Sequence, residues 1–312
     1  MTHRALTPPV GTICRAERRE TTPESWTLVD HVIVGPADDA ELQRVLAWFQ
    51  KNDHARALLT DAVVDAVDHV LDGAYTGRMA ITDLEPQEKT QIGIKLESRI
   101  LEALALPKEG PLDTTIEGVA VDIKNSVGTS WMISIEDQCR ICLIIGVDQV
   151  NDRFSARLMR THRKFLGKTT AKGNGDKKRG ISTKSQADYA IPLFDPEWTP
   201  LPRNPLRDLT PEQHKIVFAP GNGLKVRATH MFSFLPGVVI PRRALLTVGT
   251  RLLDPMRRIR QAKDALLKEH GLVLLNGQTP DQRGKAKKCG YEIGPGDWIA
   301  IPAQLLDKDA PA

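Results

Sequence analysis

At 312 residues, the chain is long enough for two domains of ordinary size, each with its own hydrophobic core. Apolar residues make up 41% and charged residues 26%, which is typical of a soluble globular protein. The aromatic content of 5% argues against single-strand binding by base stacking as the main activity. The N-terminus has no apolar export signal and the longest apolar runs are strand-sized, so we expect a cytoplasmic protein without a membrane segment.

The net charge of +4 is unevenly distributed along the chain. Residues 166–312 carry 24 Lys and Arg against 14 Asp and Glu, whereas residues 1–165 carry 19 against 25. A basic half attracts polyanions, and an acidic half can supply carboxylate chemistry. Uneven solvated charge without a specific function is the alternative interpretation.

The predicted elements begin after residues 1–35, a polar, proline-bearing stretch that we expect to form a loose N-terminal arm. Apolar residues recur at helical spacing over residues 39–72, which predicts two helices, the second closed by Asp72-Gly73. A further helix is predicted over residues 88–106 and ends before Pro107.

Strands are predicted next. Residues 115–125 alternate between apolar and polar positions, and the following strands are expected over residues 131–135, 141–147 and 153–159. Helices, then a run of strands, then more helices predict a mixed α/β core.

A basic, glycine-rich stretch over residues 167–188 is predicted to link two domains, at residues 36–166 and 189–312. In the second, a helix is predicted from Asp254, at its N-cap, to His270, with Gly271 after its end. A strand over residues 272–275 is expected to follow.

Asp122-Ile123-Lys124 is the most informative local pattern. Side chains two apart on a strand point to the same face, so Asp122 and Lys124 can contact one bound group while Val121 and Ile123 pack on the core. Asp113 lies at the start of the predicted strand, where a short bend would bring its carboxylate to the same cation.

Glu97 falls inside the apolar arc of its predicted helix. A carboxylate there must be paired or metal-bound, because a lone buried charge costs several kcal/mol. Three carboxylates and one lysine can hold a divalent cation and stabilise the charge that develops during phosphodiester cleavage. The alternatives are a surface pair between Asp122 and Lys124, and an arginine that neutralises Glu97.

The four cysteines are Cys14, Cys139, Cys142 and Cys289. Cys139-Arg-Ile-Cys142 has the spacing of a redox or zinc half-site, but no second pair follows it. A zinc site would therefore need Cys14, Cys289 or a distant histidine. Small buried thiols without special chemistry are the favoured interpretation.

Several ordered motifs resemble those of the NaeI-type type II restriction endonucleases. The resemblance is strongest over residues 60–170 and continues weakly toward residue 300. It is carried by Ala74-Tyr-Thr-Gly-Arg78, Glu88-Lys-Thr90, Glu97, Asp113, the predicted strand over residues 116–126, Trp131, Phe165-Leu-Gly167, and residues 240–248 and 270–277.

The resemblance implies a PD-(D/E)xK nuclease domain at residues 36–166, related to the mismatch-repair nicking endonuclease MutH. It implies a helix-turn-helix or winged-helix-like DNA-binding domain at residues 189–312. In the family, both domains bind DNA, and one copy is cut while a second copy acts as effector. Glu97, Asp113, Asp122 and Lys124 fall on the family's catalytic positions.

We therefore expect a Mg²⁺-dependent, homodimeric endonuclease that hydrolyses duplex DNA at a short palindrome, with a cognate DNA methyltransferase as genetic partner. Asp113, Asp122 and Glu97 would bind the metal, and Lys124 would position water or stabilise the transition state. A palindrome presents the same half-site to each subunit, which predicts two-fold symmetry. A MutH-like nicking enzyme and a non-catalytic DNA-binding regulator on a nuclease scaffold are the alternatives.

Contacts to DNA are expected from basic side chains of the second domain, on the predicted helix after Asp254 and in a cluster further along the chain. A solvated basic face is the alternative interpretation. The predicted residues are Arg257, Arg258, Arg260, Lys285, Lys287 and Lys288.

Overall fold

The computed structural model describes residues 10–19, 26–109, 112–128, 130–167 and 178–306. Its contacts divide the chain into two compact units. The first unit comprises Met1–Val70 and Pro86–Pro202, and the second comprises Leu71–Glu85 and Arg203–Ala312. The linker predicted over residues 167–188 precedes this boundary, and its residues 168–177 lie outside the described residues.

The predicted N-terminal arm contains a hairpin. Strands β1 (Ile13–Arg19) and β2 (Trp26–Val32) pair in antiparallel fashion. The described part of this segment is not a loose arm, because Cys14 and Ile33 are fully buried in the core of the first unit; residues 1–9 and 20–25 lie outside the described residues.

Helices α1 (Ala40–Lys51) and α2 (Ala55–Leu71) confirm the pair predicted over residues 39–72. Asp39 caps α1, since its side chain accepts a hydrogen bond of 3.1 Å from the Leu42 amide. After the short helix α3 (Gly73–Thr76), α4 runs over Pro86–Ala103, so it ends three residues earlier than predicted. It closes with Ala105 in the left-handed conformation, at φ 52°.

Helix α3 belongs to the second unit, and the remaining elements of the first unit are mostly strands. They are β3 (Thr114–Ile116), β4 (Val119–Ser126), β5 (Met132–Ile133), β6 (Ile141–Asp148), β7 (Arg153–Arg160), β8 (Arg179–Gly180), helix α5 (Thr183–Tyr189), β9 (Ile191–Pro192) and β10 (Trp198–Pro200).

Six of these strands form one sheet, in the order β10-β7-β6-β4-β3, with β9 also paired to β7. Strands β4 and β6 run parallel, whereas β3–β4 and β6–β7 are antiparallel. The mixed sheet flanked by helices confirms the predicted α/β core. The β4–β6 pair places the segment before β6 beside the start of β4.

Two strand predictions need correction. The single strand expected over residues 115–125 is a hairpin, because Glu117 (φ 50°) and Gly118 (φ 75°) form a tight turn between β3 and β4. The strand expected over residues 131–135 is reduced to β5, which pairs with β8 in a separate two-stranded sheet.

In the second unit, helices surround an antiparallel pair of strands. They are α6 (Pro211–Val217), α7 (Leu224–Phe234), α8 (Arg242–Val248), α9 (Pro255–Arg260), α10 (Lys263–His270), β11 (Leu272–Asn276), α11 (Pro280–Lys288) and β12 (Trp298–Pro302). Phe232, Leu245, Ile259 and Leu266 lie fully buried in the core of this unit.

The single helix predicted from Asp254 to His270 is broken into α9 and α10. At the break, the amides of Gln261 and Ala262 bond to carbonyls three residues earlier, so a tighter turn interrupts the α-helical pattern. The predicted ends are correct: Asp254 caps α9, and Gly271 follows α10 at φ 64°. Among the helices that the structure describes, none is both long and apolar enough to cross a bilayer.

Candidate active site

Asp122 and Lys124 contact each other on strand β4. Lys124 Nζ lies 2.6 Å from Asp122 Oδ2, and Asp122 is only 3% exposed. Val121 and Ile123, on the opposite face of the strand, are buried as the alternation predicts. The hairpin with β3 on one side and the parallel pairing with β6 on the other fix the register of this strand.

Asp137 is a second partner of Lys124 that the sequence did not reveal. Its Oδ2 lies 2.9 Å from Lys124 Nζ, and its side chain is buried. The Ser134 hydroxyl donates a hydrogen bond to the same oxygen, which orients the carboxylate. The sequence feature that could have indicated Asp137 is Ser134-x-x-Asp137, a turn motif shortly before a wholly apolar strand.

Asp113 lies against the middle of β4. Its Oδ2 accepts a hydrogen bond of 2.8 Å from the Ile123 amide, between the two polar residues of the strand. Asp113 directly precedes β3, and the β3–β4 hairpin returns the chain beside it. The bend expected at this position therefore brings the Asp113 carboxylate close to Asp122.

Glu97 approaches from helix α4, which packs against β4. Gly93 permits this approach, because a Cβ there would lie 2.9 Å from the Asn125 side chain. Glu97 itself bonds to Lys108 at 2.8 Å and is 25% exposed. As predicted, Glu97 lies on the apolar side of the helix between the buried Leu101 and Leu104, although Ile94 at the edge of that arc is 59% exposed.

The pKa values of Asp122 and Lys124 are both shifted, and the causes of the two shifts differ. Burial raises the pKa of Asp122 to about 8; Lys124 opposes this shift, and the charges of Asp137 and Asp113 add to it. Burial by itself lowers the pKa of Lys124, but Asp122 and Asp137 raise it above its ordinary value. Lys124 therefore stays positively charged, and Asp122 takes up a proton more readily than an exposed aspartate does.

Cys142 contacts the carboxylate of Asp122 from the neighbouring strand β6. Its Sγ is 3.9 Å from Asp122 Oδ2, and burial together with the charges of Asp122 and Asp137 raises the pKa of its thiol. Cys142 is thus a neutral, buried group of the site and does not pair with Cys139 as the C-x-x-C spacing allowed. Cys14 and Cys139 are also buried, and Cys289 is partly exposed.

The acidic groups outnumber the basic groups in this network. Lys108 bonds to Glu97 and also interacts electrostatically with Asp113, whose charge in turn acts on Asp122. Two lysines thus face four carboxylates, those of Glu97, Asp113, Asp122 and Asp137. The oxygens of Glu97, Asp113 and Asp122 do not all lie within 4.8 Å of one another, so these side chains form an open set of ligands.

The six basic residues predicted to contact DNA are all exposed, and five of them line two concave surfaces of the second unit. Arg260, Lys285 and Lys288 line a cavity of about 560 Å³, together with Lys263. Lys287 lies beside them on α11, and Lys285 also pairs with Asp281 at 2.9 Å.

The second concave surface is a cavity of about 670 Å³, which Arg257 and Arg258 line. Lys225 and Arg227 line it too, from the first turn of α7. Sequence patterns carry no clear signal for Lys225, Arg227 and Lys263, because each is an isolated basic residue until the fold brings it to a groove.

A mixed sheet flanked by helices, with one carboxylate and a charged lysine on the same strand and further carboxylates beside it, is consistent with the core of a nuclease. The family described as restriction endonuclease NaeI matches residues 43–301 of the chain. The type II restriction enzyme NaeI of Lentzea aerocolonigenes is 26% identical over 279 residues, which cover 87% of this chain and 85% of that enzyme.

This chain belongs to the restriction endonuclease NaeI family. It is therefore a restriction endonuclease of type II, a site-specific deoxyribonuclease. The resemblance found in the sequence motifs is confirmed over most of the chain.

Proposed function

We propose that this enzyme hydrolyses duplex DNA at a short palindromic site with the help of Mg²⁺, and that Asp113, Asp122 and Lys124 are the centre of its active site. The observation that carries the proposal is the contact of Lys124 with the buried Asp122, beside the Asp113 carboxylate. Glu97 completes the proposed catalytic set from α4. This arrangement corresponds to the PD-(D/E)xK pattern expected from the sequence.

The residues present fit a hard divalent cation. Asp113, Asp122 and Glu97 supply oxygen ligands, and their open spacing suits Mg²⁺, which usually retains several waters and binds through one or two carboxylates. The excess of carboxylates over lysines, and the raised pKa of Asp122, support a site that is short of positive charge. A bound Mg²⁺ would lower the pKa of its water and polarise the scissile phosphate.

Lys124 acts in this proposal as a fixed positive charge. Its raised pKa argues against a role as a general base, because it would have to lose a proton that two aspartates hold in place. A protonated lysine beside the scissile phosphate stabilises the charge that develops in the transition state. Asp137 orients Lys124 as its second carboxylate partner.

The second unit is proposed to bind DNA through its two basic surfaces, and a second DNA copy is proposed as effector. Its helices, followed by the β11–β12 pair, provide the elements for the helix-turn-helix or winged-helix-like fold that we expected. A homodimer follows from the symmetry of a palindrome, and a methyltransferase encoded nearby would protect the host's own sites.

Cleavage of supercoiled plasmid DNA of mixed sequence, with and without Mg²⁺, tests this function. We expect linear fragments in Mg²⁺ only, and sequencing of their ends should return one short palindrome cut symmetrically on both strands. Nicked circles in place of linear DNA would favour the MutH-like alternative. Specific retention of DNA without cleavage at any Mg²⁺ concentration would favour the non-catalytic regulator.

A further inference from the structure

A second group of potential metal ligands lies in the first unit, apart from the carboxylates. Cys14 on β1, Cys139 shortly before β6 and His162 shortly after β7 come together although Cys14 is far from the others in sequence. Their ligand atoms all lie within 4.8 Å of one another, and the three side chains are 0%, 0% and 2% exposed. Among the side chains that the structure describes, this is the one such group of His, Cys, Asp or Glu residues.

The distances fit a metal ion of the size of zinc. Cys14 Sγ and Cys139 Sγ are 3.3 Å apart. Two thiolates on a tetrahedral zinc ion lie about 3.8 Å apart, because each Zn–S bond is about 2.3 Å long. A small outward movement of the two side chains would therefore admit the ion.

His162 supplies an independent observation. The ring is buried, yet neither Nδ1 nor Nε2 forms a hydrogen bond with any group in the described part of the chain. A buried imidazole normally has a partner for its polar nitrogens, because an unsatisfied polar group costs about 1–3 kcal/mol. Coordination of a metal through one ring nitrogen would supply that partner.

We propose that Cys14, Cys139 and His162 bind one zinc ion that fastens the N-terminal hairpin to the nuclease core. Thiolate and imidazole ligands select Zn²⁺ over Mg²⁺, so this site is separate in chemistry from the proposed catalytic metal. The fourth position is left to water, and His31 lies near the site without belonging to this group of ligand atoms. His31 lies opposite Cys14 in the β1–β2 register and lines one cavity with Cys139 and His162.

The proposed ion would also stabilise the neighbourhood of the catalytic lysine. Cys139 lies two residues after Asp137, the partner of Lys124, and three before Cys142, which contacts Asp122. Cys139 itself adopts a left-handed conformation, at φ 60°. A metal bond to Cys139 would hold this strained turn in place, so the ion acts on structure and is not expected to react with DNA.

Metal analysis of the full-length protein tests the proposal. The protein is purified without chelators, dialysed against metal-free buffer, and analysed by inductively coupled plasma mass spectrometry before and after addition of Zn²⁺. We expect one tightly held zinc ion per chain. Replacement by Co²⁺ should produce the absorption bands of thiolate-to-cobalt charge transfer.

Variants of the proposed ligands test which side chains bind the zinc ion. Cys14→Ser and His162→Gln should lose the zinc ion, whereas the matched control Cys289→Ser, in the second unit, should retain it. Circular dichroism reports whether each variant is folded. Because the first measurement uses the unmodified protein, the test does not depend on the folding of any variant.

Two outcomes would overturn the proposal. One is folded, unmodified protein that neither retains nor takes up Zn²⁺. The other is a Cys14–Cys139 disulfide in the purified protein, seen by mass spectrometry of peptides under non-reducing conditions. Neither outcome bears on DNA cleavage, so a failure of the zinc site is distinguishable from a failure of the proposed catalytic site.

Discussion

Lys124 is held between two buried aspartates, one from its own strand and one from the turn before β6. The sequence predicts the first contact, because residues two apart on a strand share a face. It does not predict the second, because Asp137 reaches Lys124 only through the parallel pairing of β4 with β6. Local periodicity carries no information about such a pairing.

Replacement of Asp137 by Asn tests its positioning role. The change keeps the shape of the side chain but removes the charge that holds Lys124, so the lysine is less well placed against the phosphate. We expect the single-turnover cleavage rate to fall by about 10–100-fold while the affinity for DNA changes little. The matched variant Asp148→Asn, at the far end of β6, should cleave at the normal rate. Equal rates for the two variants would exclude the role.

The raised pKa of Asp122 predicts that metal binding depends on pH. Below a pH of about 8 the metal-free site holds a proton on Asp122, which Mg²⁺ must displace. The affinity for Mg²⁺ should therefore increase by up to about tenfold per pH unit up to this value and level off above it. Isothermal titration calorimetry with catalytically inactive Ca²⁺ and with Mg²⁺ measures the effect. An affinity for Mg²⁺ that is the same below and above the pKa of Asp122 would contradict this prediction.

At the scale of elements, composition and periodicity predict the helices and long strands well. They fail where two residues reverse the chain, as at Glu117-Gly118, and where two residues interrupt a helix, as at Gln261-Ala262. They also miss the N-terminal hairpin, because its burial depends on Cys14 packing against residues far along the chain. A single sequence does not predict turns that lack proline, and it does not predict contacts between segments that are far apart in the chain.

Helix α1 is fastened to the sheet by Arg160, which pairs with both Asp39 and Glu41 at the start of the helix. Asp39 caps the helix and also accepts a hydrogen bond of 2.9 Å from Arg160 on β7. Burial by itself raises the pKa of Asp39, but the hydrogen bonds from Arg160 and from the Leu42 amide lower it below its ordinary value. The pair therefore stabilises the fold at neutral pH.

Asp39→Asn should weaken this connection without removing the cap, since asparagine also caps helices. We expect the free energy of unfolding at neutral pH to fall by about 1.5–3 kcal/mol, the usual contribution of a hydrogen bond to a charged group. Because the pKa of Asp39 is lowered on folding, its contribution is complete above the ordinary pKa of an aspartate and disappears as the pH falls through the lowered value.

Urea denaturation as a function of pH measures this difference. Asp30→Asn is the control, because the Asp30–Arg15 pair is exposed and should contribute little at any pH. A difference between Asp39→Asn and the unmodified protein that persists unchanged in strong acid would contradict the assignment.

At the scale of the whole molecule, the uneven charge of the sequence corresponds to the two units. The carboxylate network lies in the first unit, and the grooves lined by arginine and lysine lie in the second. The composition of the sequence predicts this separation of charge. It does not show that the basic residues gather on two surfaces, which requires the folded arrangement of α7, α9 and α11.

Neutralisation of one groove tests its role in DNA binding. In the triple variant Arg260→Gln, Lys285→Gln, Lys288→Gln, we expect weaker binding to all DNA sequences. The slope of log affinity against log salt concentration should become shallower by about one for each phosphate that the variant no longer neutralises. Fluorescence anisotropy over a range of salt concentrations measures the slope, with Lys51→Gln in the first unit as control. An unchanged slope in the triple variant would reject the groove as a DNA-binding surface.

The most direct test of the proposed active site is cleavage of a DNA fragment with one recognition site by Asp122→Asn, compared with Asp148→Asn. Both changes replace an aspartate of the same sheet by its nearest uncharged analogue. We predict that Asp122→Asn binds the fragment but leaves it intact in Mg²⁺, while Asp148→Asn cuts it at the rate of the unmodified enzyme. Undiminished cutting by Asp122→Asn, in protein free of contaminating nuclease, would contradict the assignment of the catalytic centre.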